Sequence, residues 1–225
     1  MAPRKVPTRP LGSQGLTTSA QGLGCMGAVA FYVADPAQHH DAMLETFDAA
    51  VDAGVTLWDT AFIYAHPTGA HNESLVGEGL RRCGRDAVTL ATKFGINTDF
   101  SFDSSPPNIR RQLAESLARL GTDHVDLYYQ HRVDPATPME TVAGELKQLI
   151  KERVVRYWGL SECTADELRA AHAVQPVSAI QAEWSLQTRD AESALFPAAR
   201  QLGVGIVVSA HARARVAGAH AACAR

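Results

Sequence analysis

VTLATKFGINTDFSFDSSPPNIRRQLAESLARLGTDHVDLYYQH, residues 88–131, is the stretch from which the fold is read. Val88–Thr92 is a short run of β-type residues. Pro107–Leu120 follows with Ile109, Leu113, Leu117 and Leu120 at i, i+4, i+8 and i+11, the spacing of one helix face. Val125–Tyr129 is a second β-type run. A strand, a helix and a strand in that order form a crossover unit, which joins parallel strands in a sheet covered by helices.

The same alternation extends in both directions. Toward the N-terminus, Leu57–Asp59 reads as a strand between a helix over His39–Ala53 (Met43, Phe47, Ala50 and Val51 on one face) and a helix over Glu73–Arg82 that Asn72 is placed to cap. Gly54 closes the first of these helices. Residues 9–20 read as a small hairpin turned at Gly12 and Gly15, and Ala20–Gly24 as the first strand. Toward the C-terminus come a helix over Pro138–Glu152, a strand over Val155–Leu160 and a helix opened by the capping box Thr164–Glu167. A strand over Ala179–Ala182, a helix capped by Asp190 and a seventh strand over Val204–Val208 complete the series. Two architectures fit, an open doubly wound sheet and a closed barrel. Gly22-Leu23-Gly24 has no third glycine at dinucleotide-fold spacing, which lowers the first; seven units raise the second.

Composition bounds the function. The chain has 225 residues, 46% hydrophobic and 20% charged, enough for one large core. The formal net charge of −3 gives no basic excess for a nucleic acid. Cys25, Cys83, Cys163 and Cys223 are scattered, which argues for reduced thiols in a cytoplasmic protein rather than a disulfide framework or metal site. The start of the chain is basic and lacks an apolar segment, so no secretory signal is expected. No run reaches the roughly 18 apolar residues of a membrane span.

In a barrel the chemistry collects where the strands end. Asp59 ends one strand, with Tyr64 in the loop beyond it. Lys93 ends the next and His131 the one after; Ser161 and Gln181 belong to the two that follow. Taken singly, Asp59 reads equally as a loop cap, Lys93 as a solvated lysine, His131 as a structural histidine and Tyr64 as a half-buried aromatic. Together they match one task. A phenol has an ordinary pKa near 10, which a neighbouring ammonium lowers. A carboxylate holds that ammonium, and a histidine assists at a carbonyl oxygen. That set protonates an oxygen as charge develops on it. The hydride needed to complete a carbonyl reduction must come from a nicotinamide cofactor.

Around these positions the sequence resembles the aldo-keto reductases. The segments are Gly54–Tyr64, Ala91–Gly95, Asp126–Arg132, Arg156–Glu162 and Ile180–Leu186, together with Leu11-Gly12 and Gly22–Gly27 at the start. The resemblance implies an α/β fold of the (β/α)₈ barrel type and NADPH-dependent reduction of a small aldehyde or ketone, with no nucleic acid or membrane partner. It implies that Tyr64 is the general acid, that Lys93 and Asp59 lower its pKa and orient it, and that His131 polarises the substrate carbonyl. It further implies that Ser161 and Gln181 bind the nicotinamide carboxamide and that the backbone at Gly24 and Met26 approaches the cofactor. Phe31, Tyr32 and Trp184 are candidates for an apolar pocket.

The resemblance stops near Val208, where a Tyr-Ser-Pro-Leu-Gly-type segment is expected and Ser209-Ala210-His211-Ala212-Arg213 stands instead. The reading is therefore an incomplete barrel domain over 1–208 and a divergent Ala/Arg-rich tail over 209–225, for which a basic helix and a disordered tail are both open and a shifted frame with an early stop is the preferred expectation. The eighth strand and final helices are expected to be missing. A truncated, weakly active or inactive relative with at most a binding role is the alternative to a working reductase.

Overall fold

The computed structural model describes residues 5–30 and 34–209. Phe31, Tyr32 and residues 210–225 of the tail lie outside the described residues. The hairpin is present: β1 (Thr8–Pro10) and β2 (Thr17–Ser19) pair antiparallel. Seven strands then form one sheet, every neighbour parallel and in chain order: β3 (Gly22–Gly24), β4 (Leu57–Asp59), β5 (Thr89–Phe94), β6 (Val125–Gln130), β7 (Val155–Ser161), β8 (Ala179–Glu183) and β9 (Gly205–Ser209). The helices α1 (Pro36–Asp52), α2 (Asn72–Cys83), α3 (Pro106–Leu120), α4 (Met139–Lys151), α5 (Ala165–Val174) and α6 (Leu195–Gln201) alternate with the strands from β3 onward. The sheet curls into a (β/α)₈-type barrel of which seven strands occur among the described residues.

Strand periodicity of two decides which side chains face inward. On β4, Trp58 points outward to stack on Phe47 of α1 with ring centroids 4.7 Å apart, while Leu57 and Asp59 share the opposite face. On β5 and β6, Phe94 and Tyr128 pack outward on one another at 4.7 Å. Leu57, Ala91, Leu127, Tyr129 and Ala179 form the barrel's interior cluster, closed from below by Leu16 of the hairpin. Ser19 on β2 accepts from the Thr56 and Leu57 amides and locks the hairpin to the lower end of β4. Gly159 leaves room for this packing: a Cβ there would stand 2.5 Å from the Tyr129 ring and 2.4 Å from the Ala179 carbonyl.

Three helix starts differ from the sequence expectations. Helix α1 begins a turn before His39, because Asp35 caps it through the Ala37 amide and Pro36 supplies a ready first-turn φ. Asn72 is not the cap of α2. His71 takes that place, accepting from the Glu73 amide, and Asn72 is drawn inward by bonds described below. Asp190 caps no α-helix. It opens only a short 3₁₀ turn, and α6 begins at Leu195. Pro197 explains the delay, since proline fits a helix only in its first turn. The Thr164–Glu167 capping box is present as read.

Candidate active site

Residues Thr60–His71 leave the end of β4 and return to α2, and Asn72 holds both ends of that loop. Its backbone amide donates to the Tyr64 carbonyl at 2.9 Å. Its side chain accepts from the Thr60 hydroxyl and donates to the Cys25 carbonyl, each at 2.6 Å. The Cys25 amide in turn donates to the Asp59 carbonyl at 2.8 Å. The strand end that carries Asp59, the loop that carries Tyr64 and the segment that leads to Met26 are thus joined through one buried amide.

The four residues expected to do the chemistry meet at the upper rim. Lys93 is buried, 1% exposed, and is not the solvated lysine it suggests when read alone. Its Nζ donates to Asp59 Oδ2 at 2.5 Å and to the Thr60 carbonyl at 2.9 Å, and stands 5.3 Å from the centre of the Tyr64 ring. Burial on its own lowers the Lys93 pKa; Asp59 and Tyr64 outweigh it and hold the ammonium above its ordinary range. The Tyr64 ring meets His131 edge-on at 5.6 Å.

The phenol's pKa departs from the expectation. Burial raises it, Lys93 lowers it, Asp59 raises it again, and the net position is above the usual value. The direct field of Asp59 thus opposes the phenolate, and Asp59 favours it only indirectly, by holding Lys93 in place. At neutral pH the buried phenol keeps its proton, the form a proton donor needs. His131 is pushed down to about 2 by burial, with Lys93 and Arg132 adding repulsion, so the imidazole is neutral.

That depression links the site to stability. The unfolded chain takes up a proton near pH 6.5 that the folded His131 refuses, so its contribution is constant above that pH and stability falls as pH drops below it. Each pH unit costs about 1.4 kcal/mol from this residue. Unfolding free energies from urea titrations at pH 7 and pH 5 are expected to differ by about 2 kcal/mol more for the native chain than for His131→Gln. Equal differences in the two proteins would remove the assignment.

Asp59, Tyr64 and His131 line a cavity of about 1110 Å³, together with Gly24, Met26, Ser161 and Gln181. All four expected cofactor-side residues are thus on the same cavity as the chemical group, and Lys93 lies buried behind it. Gln181 Nε2 donates to Asp59 Oδ1 at 3.2 Å. A Cβ at Gly24 would meet nothing within 4 Å, so that backbone borders open space. Trp184 does not line the cavity; it packs edge-on against Phe196 at 5.5 Å and donates to Glu192 at 2.7 Å.

Beside the expected residues the cavity also presents Arg132 and Glu162, which the sequence reading gives no role. Arg132 directly follows His131, and its Nη1 donates to the His131 carbonyl at 2.6 Å and to Ser161 Oγ at 3.3 Å. Glu162 follows Ser161 in the left-handed backbone region, φ +53°, with Oε1 accepting from the Glu183 amide at 2.8 Å. Their adjacency to His131 and Ser161 was the available signal. Cys25 and Cys163 are buried with thiols pushed up to about 12, and Cys83 to about 11. No group of acidic, His and Cys side chains suited to a metal ion occurs among the described residues.

The aldo/keto reductase family model matches residues 25–212. The chain is a member of the aldo/keto reductase family. "Probable aldo-keto reductase 1" of Glycine max is 45% identical over 202 residues, covering 88% of this chain and 57% of the relative. The chain thus spans a little over half the length of that curated reductase. Among solved structures it resembles the holo form of aldo-keto reductase AKR11C1 from Bacillus halodurans, with a TM-score of 0.78 at 27% identity over 90% of this chain and 65% of the other. The thermostable aldo-keto reductase Tm1743, solved with the inhibitor epalrestat, matches at a TM-score of 0.78 and 26% identity, over 90% of this chain and 72% of that one. No helix among the described residues of this aldo/keto reductase is long and apolar enough to cross a membrane.

Proposed function

We propose that the chain reduces aldehydes or ketones to alcohols with NADPH, using the barrel domain through residue 208. The observation that carries this reading is the buried Lys93–Asp59 pair behind a protonated Tyr64, in a cavity that His131 shares.

The residues present fit a nicotinamide. Ser161 offers a hydroxyl and Gln181 an amide, matching the acceptor and donor of a carboxamide, and the Gly24–Met26 segment borders the space beside them. When bound, the reduced cofactor supplies the hydride. Every other step belongs to side chains. Neutral His131 donates a hydrogen bond to the substrate carbonyl oxygen. Tyr64 gives its proton to that oxygen as negative charge builds, and Lys93 stabilises the phenolate left behind. Asp59 keeps Lys93 charged and in place throughout.

NADPH titration of the 225-residue chain, followed by tryptophan quenching and by melting temperature, tests this reading. Saturable binding in the micromolar range is expected. At 100 times Kd it adds about 2.7 kcal/mol, or roughly 5–10 °C for a chain of this size. A folded chain whose melting temperature does not move with NADPH would overturn it.

A further inference from the structure

The charges around the cavity do not cancel. Lys93 and Asp59 neutralise each other through a direct ion pair. Glu162 also lines the space, with Oε1 engaged by the Glu183 amide. Arg9 stands on the hairpin, at the opposite end of the cavity from the rim. Arg132 remains beside the reacting groups. Among the described residues no carboxylate lies within ion-pair distance of it, whereas Arg85 and Arg156, for example, are both paired with Asp126. Its Nη1 is used on the His131 carbonyl and on Ser161 Oγ. Its Nε and Nη2 have no hydrogen-bond partner among the described residues. The side chain is partly exposed and lines the same cavity as Tyr64 and His131.

An unsatisfied guanidinium fork in a cavity is a receptor for a planar anion, and a carboxylate matches it in two parallel bonds. Because Nη1 is anchored to the rim of β6 and β7, the fork loses little freedom when an anion arrives. We propose that Arg132 is a carboxylate-binding subsite, and that it selects carbonyl substrates that carry a carboxylate only a few bonds from the reacting carbon. The separation follows from the chain itself. His131 and Arg132 are consecutive, with Cα atoms about 4 Å apart, so one small molecule reaches both. The selectivity rests on the reductase reading given above; the anion site does not.

Two measurements separate them. The first is the ratio of kcat/KM for 2-carboxybenzaldehyde to that for benzaldehyde, in the native chain, in Arg132→Gln and in Arg132→Lys, with the Kd for NADPH measured in each. The ratio is expected to exceed tenfold in the native chain, to fall toward one in Arg132→Gln and to recover in part in Arg132→Lys. The second is calorimetric titration with benzoate at low salt, expected to saturate with the native chain and to weaken at least tenfold in Arg132→Gln. Thermal melts of both variants confirm that they fold. A ratio that is the same in native and Arg132→Gln chains overturns the selectivity. Weaker NADPH binding with an unchanged ratio overturns it too, and assigns the guanidinium to a cofactor phosphate. Absence of benzoate binding by the native chain overturns the anion site whether or not aldehydes are reduced. Benzoate binding that depends on Arg132, in a chain that reduces neither aldehyde, upholds the anion site and overturns the reductase reading instead.

Discussion

Tyr64→Phe is expected to slow carbonyl reduction by about 10²–10⁴-fold, the span of a positioned general acid, while NADPH affinity changes little. The substitution removes one oxygen and keeps the ring that packs with Ala30, Ala61 and Ile63 and meets His131 edge-on. Stability should therefore hold, and the loss should fall on kcat more than on KM. Because burial keeps the phenol protonated through neutral pH, reduction should be flat across that range. The reverse oxidation of an alcohol needs the phenolate and should rise as the solution becomes alkaline. Steady-state rates in both directions against pH check both statements. A Tyr64→Phe chain that retains a tenth or more of the native rate would remove the proton-donor role.

Arg119→Leu is expected to produce the largest loss of stability. Glu73 at the start of α2 is fully buried, and its two oxygens are divided between Thr92 on β5, at 2.6 Å, and Arg119 near the end of α3, at 2.7 and 2.8 Å. Removing the arginine leaves a carboxylate in the interior with one hydroxyl for company, a change that costs about 3–5 kcal/mol. For a chain of this size that is roughly 6–20 °C in melting temperature. Taking away both charges is gentler than taking away one, so Glu73→Leu with Arg119→Leu should melt above Arg119→Leu alone. Arg119 also lies 4.8 Å from the centre of the Phe62 ring, two residues before Tyr64. The single variant should accordingly lose activity below its melting point. A melt within 2 °C of the native chain would show that the pair contributes little.

The strand ends were legible because local pattern governs them. The apolar runs of β4 to β8 stop at or beside polar residues, and in a parallel barrel those ends share one rim. Asp59, Tyr64, His131, Ser161 and Gln181 were placed on that basis together with the family resemblance, and the cavity contains all five. What local pattern could not show was environment. Lys93 looks like any surface lysine until the register of β4 and β5 brings Asp59 beside it. Asn72 looks like a helix cap, because nothing nearby in sequence reveals that Thr60 and Cys25 are waiting for its amide. The net pKa of Tyr64 depends on how completely the barrel excludes water, a property of the whole assembly. Asp190 failed for a local reason, the proline at 197, which the cap signal ignored.

The loop that presents Tyr64 divides into two mechanically separate parts. Ala65 and His71 face each other in a small antiparallel bridge, and the His66 amide closes the tip by donating to the Ala70 carbonyl. Tyr64 and Asn72 lie on the inner side of that clasp and Pro67, Thr68 and Gly69 on the outer side, exposed. Loop entropy rises by only about 0.6 kcal/mol for each doubling of length. The tip is therefore a natural insertion point, where residues can be added to reshape the entrance without disturbing the hydroxyl beneath it.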